Sequence, residues 1–117
     1  MPGWIDFMVN GDSLDVTSPQ GAEFKPQVAA TNPELLEAFA VSMAKARSTL
    51  QSTNDEHLMK PWKFLVAGRV ASERPRYVMI RDAVFSHLAH HRGQLAVYLR
   101  LNNVKVPSVY GPSADEQ

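Results

Sequence analysis

Three of the four histidines fall in one stretch, FSHLAHHRGQL, at positions 87, 90 and 91. The chemistry they could do depends on spacing. At roughly 100° per residue in a helix, His87 and His91 lie about 40° apart and one turn apart along the axis. Two imidazoles at i and i+4 can aim nitrogens at one point, which a metal ion requires. Gln94 falls close to the same edge, and His90 points away by roughly another 60°. Two histidines are not a complete centre, because a catalytic zinc usually takes three protein ligands and a water. The same pair also suits two hydrogen-bonded imidazoles beside a core, or plain packing.

The helix that must carry the pair is the longest predicted in the chain, over residues 76–102. Tyr77, Ile80, Val84, Leu88, Leu95 and Tyr98 form its apolar stripe. Pro75 disfavours helix at Arg74 and so marks its start. Gly93 sits inside it at a cost of about 1 kcal/mol relative to Ala. Ala89 and Ala96 share the Gly93 face, opposite the stripe, and small residues there allow another helix to approach closely.

A second helix is predicted from Pro33 to Leu50. Thr31 or Asn32 can cap it, and Glu34 and Glu37 suit its positive end. Leu36, Phe39, Met43 and Leu50 make one apolar stripe along it. Residues 2–9 read as the end of a helix stopped by Asn10 and Gly11. Residues 12–30 read as loop, punctuated by Ser, Pro, Gly and Gln. KPWKFLVAG, from Lys60, fits either a short strand or an extended loop, and the tail VKVPSVYGPSADEQ reads as extended along the surface. The resulting expectation is one all-α domain over residues 1–117.

Composition excludes several classes. There is no cysteine, so disulfides, thiolate ligands and a cysteine nucleophile are absent. Twelve basic and twelve acidic residues balance, with no basic run of the kind that binds nucleic acid. No stretch is long and apolar enough to span a membrane, and MPGWIDFMVNGD lacks the basic start and apolar run of a signal peptide. A cytoplasmic location fits a cysteine-free chain. Phosphate loops, serine elbows and catalytic carboxylate pairs do not appear. Asp55–Glu56 reads as a solvated turn, and His57 beside it as exposed.

From His87 to Glu116 the chain closely resembles the end of DinB/YfiT-like proteins: a His-x-x-x-His pair, then Arg-Gly-Gln, Tyr-Leu-Arg, Val-Pro and Tyr-Gly-Pro. PGW at 2–4, KPW at 60–62 and PR at 75–76 extend the resemblance through nearly the whole chain. It implies a four-helix bundle holding a divalent metal, zinc or nickel, on three histidines. Two of them match His87 and His91. The third would precede the PGW match and is absent, as are the first helix and most of the second, so the chain resembles a member shortened at its N-terminus, and weak or absent metal binding by a single chain is expected. Arg92, Gln94, Tyr110 and Trp4 are then candidates for a second shell or pocket. Their plainer readings are a surface arginine, a polar helix edge, a packed tail anchor and a core tryptophan.

Two functions follow. One is a metal-dependent enzyme from a thiol-dependent transferase or hydrolase lineage, using a small-molecule thiol. The other is a non-catalytic helical oligomerisation or binding module with structural or vestigial histidines. Under either, the stripe through Leu36, Phe39, Met43, Val84, Leu88 and Leu95 lacks cover, which predicts a homodimer. The Gly93 face is the favoured contact.

Overall fold

Trp62 is fully buried, and the first part of the chain packs around it. The computed structural model describes residues 3–22 and 28–116. They divide into two compact units, one ending at Val84 and one beginning at Phe85. In chain order the first holds α1 (Gly3–Asn10), β1 (Ser13–Asp15), α2 (Pro19–Ala22), α3 (Asn32–Gln51), α4 (Asp55–Met59), β2 (Pro61–Val66), β3 (Arg69–Pro75) and α5 (Arg76–Ile80). A π-helical segment (Arg81–Ser86) then leads into α6 (His87–Leu101), which with the tail makes the second.

The all-α expectation, an incomplete four-helix bundle, is overturned by a three-stranded sheet in the order β1-β2-β3. KPWKFLVAG resolves as strand. Ala67 and Gly68, both at positive φ, form the two-residue hairpin loop that this backbone favours. β3 returns antiparallel, Trp62 facing Arg74 and Phe64 facing Ser72, with an irregularity between Phe64 and Leu65. β1 pairs parallel with β2, Leu14 against Phe64. Three residues are too short a run to show an alternating pattern, so β1 was invisible in a stretch read as loop. Residues 23–27 of that stretch, and Pro2 of the PGW match, lie outside the described residues.

The core is Ile5, Met8 and Val9 of α1, Leu14, Ala46, Trp62, Ile80 and Val84. Trp62 Nε1 donates to Phe7 O at 3.2 Å, so its one polar atom is satisfied inside that core. Arg76 is buried beside it. Its guanidinium donates to Pro61 O (2.7 Å), Gly11 O (3.1 Å) and Asp12 Oδ1 (2.5 Å), joining the ends of α1 and β2 to the start of α5. The PR match at 75–76 therefore marks a structural clamp.

α3 docks differently from its expected face. Thr31 caps it, accepting from Glu34 N, and Pro33 lies in its first turn. Yet Leu36, Phe39 and Met43 are exposed, while Ala46 and Thr49 are buried. The small-residue side contacts α1, and of the apolar stripe only Leu50 packs on the core. Asp6 of α1 secures the contact, with Lys45 Nζ at 3.0 Å and Thr49 Oγ1 at 3.2 Å. The Lys45 hydrogen bond is the main cause holding the Asp6 carboxyl below its ordinary value.

The predicted 76–102 helix is helical throughout, ending at Leu101, but not of one kind. The i→i+5 pattern at 81–86 turns less per residue than an α-helix. A wheel of constant period from Tyr77 to Tyr98 therefore does not hold across it. Ile80 and Val84 are buried, whereas Leu88, Leu95 and Tyr98 are exposed. Among the described residues no helix is long and apolar enough to cross a membrane.

Candidate metal centre

α6 begins at His87, directly after the π-helical segment, and ends in a backbone-satisfied cap. Asn103 adopts positive φ, Val104 N donates to Leu99 O at 2.9 Å and Asn103 N to Arg100 O at 3.0 Å. This is the Schellman arrangement, and asparagine tolerates the left-handed position well. The helix thus has a defined end although no residue of it is buried.

Within it, His87 and His91 meet. Their Nε2 atoms are 2.9 Å apart, and the rings stack at 4.6 Å between centroids. His91 Nδ1 lies 2.8 Å from Gln94 Oε1. That oxygen only accepts, so His91 Nδ1 carries the proton, and in the neutral ring Nε2 is the nitrogen with the lone pair. His87 Nε2–H then donates to His91 Nε2, giving a directed chain from His87 through His91 to Gln94. His90 sits edge-on to His91 at 5.3 Å between centroids and makes no part of that chain.

The donor chemistry suits a divalent ion. A ligating histidine commonly has its other ring nitrogen tied to an acceptor, which fixes the tautomer, and Gln94 does this for His91. Metal–nitrogen bonds of about 2.0–2.1 Å at the tetrahedral angle place two nitrogens roughly 3.3–3.4 Å apart. The observed separation is shorter by a few tenths of an ångström, so coordination by both would require the pair to open and His87 to carry its proton on Nδ1. The donor number does not suit a single chain. Among the described residues no group of three or more His, Cys, Asp or Glu could hold a metal.

The remaining sequence candidates each have their own surroundings. Trp4 belongs to the first unit, packs against its core, and lies 6.3 Å from Phe64 between ring centroids. Arg92 is exposed on α6. Tyr110 is 98% exposed, which corrects its reading as a packed anchor. The anchor is Asp115 instead. It pairs with Arg100 Nη2 at 3.0 Å and accepts from Val106 N at 3.0 Å, so the tail folds back on itself rather than running extended. His57, expected to be exposed, is partly buried with Nε2 2.7 Å from Val9 O. It holds the end of α1, a role that the polar run NDEHLMKPW did not signal; Asn54 caps the short helix α4 that carries it.

Comparisons with protein-family models, curated proteins and solved structures find no match to this chain.

Proposed function

We propose that the chain is a DinB/YfiT-like divalent-cation-binding protein in which His87 and His91 are ligands for zinc or nickel, ions that imidazole suits. The observation that carries this reading is the Nε2 pair at 2.9 Å, with Gln94 holding the His91 tautomer that coordination needs. The resemblance adds a lineage of thiol-dependent transferases or hydrolases, in which such an ion supplies Lewis-acid stabilisation of a small-molecule thiolate. The chain's own residues bind and orient: His91 offers a fixed lone pair, and His87 a second after its proton shifts. Two nitrogens fall short of a catalytic set, so the reading assigns no reaction step to one chain alone.

Calorimetric titration of metal-stripped protein with zinc chloride and nickel sulfate tests the assignment. Binding is expected in the wild type, is expected to fall 10–100-fold in Gln94→Ala, and is expected to vanish in His87→Ala/His91→Ala. Undiminished binding by the double variant would overturn it. The second reading, a non-catalytic interaction module, draws on the absence of any buried residue in α6. Self-association unaffected by the double histidine change and by chelators would favour that reading.

A further inference from the structure

We infer that two copies of this chain pair along α6 and complete one four-imidazole cation site from two His87/His91 pairs. The inference rests on the metal-binding reading above and names the partner that reading lacks.

Three observations lead to it. The first is donor count: the pair supplies two nitrogens, and no third donor joins it among the described residues. A second copy brings two more, giving the four tetrahedral ligands of a closed zinc site. The second is spacing. Leu88, His91, Leu95 and Tyr98 follow one another at intervals of three, four and three, the a/d repeat through which two helices interlock. Leu88, Leu95 and Tyr98 are 41%, 57% and 65% exposed, so this seam is uncovered within the chain. His91 sits at its centre and His87 beside it.

The third observation concerns charge and direction. α6 carries no acidic residue, so a cation bound on it needs neutral ligands and distant arginines. At 100° per residue Arg92 lies about 120° and Arg100 about 160° from the midpoint of the pair, away from the seam. A parallel two-fold places each His91 opposite its counterpart, as in an isologous dimer.

The test uses the metal-stripped full chain at low micromolar concentration. Zinc chloride is titrated by calorimetry while sedimentation velocity follows mass. The expected result is one zinc per two chains, with conversion of monomer to dimer on zinc addition and reversal by chelator. Cobalt(II) in place of zinc should give the intense visible absorption of a tetrahedral site. Leu95→Asp retains both histidines and removes only the seam. It is expected to lose zinc-driven dimerisation and at least tenfold in zinc affinity, with an unchanged circular dichroism spectrum in the absence of metal. One zinc per monomer, or an unchanged affinity in Leu95→Asp, overturns the shared site while leaving the histidine assignment intact. Zinc binding that survives His87→Ala/His91→Ala overturns the assignment itself, and the shared site with it.

Discussion

The unit ending at Val84 and the unit beginning at Phe85 solve the problem of stability in opposite ways. In the first, short elements converge on a shared interior. α1 has eight residues and β1 three, lengths that do not persist in water alone, yet Ile5, Met8, Leu14 and Trp62 bury one another. In the second, a fifteen-residue helix has no buried residue and relies on local devices: the Schellman cap at Asn103 and the Arg100–Asp115 link. The contrast separates two uses of apolar side chains. Trp62 and Met8 hold a fold together. Leu88, Leu95 and Tyr98 are left on the surface, on the same side as the His87–His91 pair.

The largest expected difference is therefore between core and seam. Trp62→Ala should cost the first unit about 3–5 kcal/mol, much of what a small domain has. Leu95→Ala in metal-free monomer should cost less than about 0.5 kcal/mol, because it removes no buried contact. Urea denaturation followed by far-ultraviolet circular dichroism measures both. A loss of several kcal/mol at Leu95 would show that α6 is covered in the monomer and would erase the contrast.

A smaller effect separates the units by pH. Asp15 binds the Thr17 hydroxyl at 2.6 Å, Thr17 N at 2.9 Å and Gly68 N at 2.6 Å, and Thr17 Oγ1 accepts from Ala67 N at 3.0 Å. These bonds tie β1 to the β2–β3 loop. They hold the carboxyl below its ordinary value, the Thr17 hydroxyl foremost, then the Thr17 and Gly68 backbone. A carboxyl lowered in the folded state contributes stability that is fully present above its unfolded value of about 3.9. That contribution fades as pH falls through the lower folded value. Asp15→Asn should thus lower stability of the first unit at neutral pH and flatten its decline below about pH 4. Denaturant midpoints measured from pH 7 to pH 2 check this; parallel curves for variant and wild type would assign the ties no energetic role.

How much of this was legible follows from distance along the chain. The 76–102 helix, the Thr31 cap and the His87–His91–Gln94 edge depend on neighbours within a turn or two, and sequence spacing reports those directly. The sheet depends on Leu14 meeting Phe64 and on Trp62 reaching Phe7, contacts that no local period encodes. Trp62 and Phe64 do alternate with Lys63, but six residues bounded by proline fit strand and loop equally. The α3 stripe misled for another reason: periodicity found an apolar face, whereas the contact with α1 uses Ala46 and Thr49, small enough for close approach. The π-helical segment left no mark in composition at all. The roles of His57 and Arg76 carry no local sequence signal, because their partners include backbone carbonyls of remote residues, which any sequence can supply.

The smallest expected effect concerns Gly93, and it separates the two faces of α6. A glycine within a helix costs up to about 1 kcal/mol relative to alanine, which invites a packing reason. A Cβ built there meets nothing within 4 Å, and Gly93 does not have the positive φ of Gly68 and Gly111. Neither crowding nor backbone conformation within the chain requires it. Gly93→Ala should therefore raise the helicity of α6 in metal-free monomer and stabilise it by up to about 1 kcal/mol, visible as a stronger 222 nm signal. The side chain lies roughly opposite the His87–His91 midpoint on the wheel, so a seam through His91 and Leu95 should also tolerate Gly93→Leu. If the Ala89–Gly93–Ala96 face is instead where helices approach, Gly93→Leu should abolish dimerisation while leaving both histidines in place. Sedimentation of that variant with and without zinc distinguishes the faces: a zinc-dependent dimer keeps the histidine seam, and a monomer under both conditions moves the contact to the glycine side.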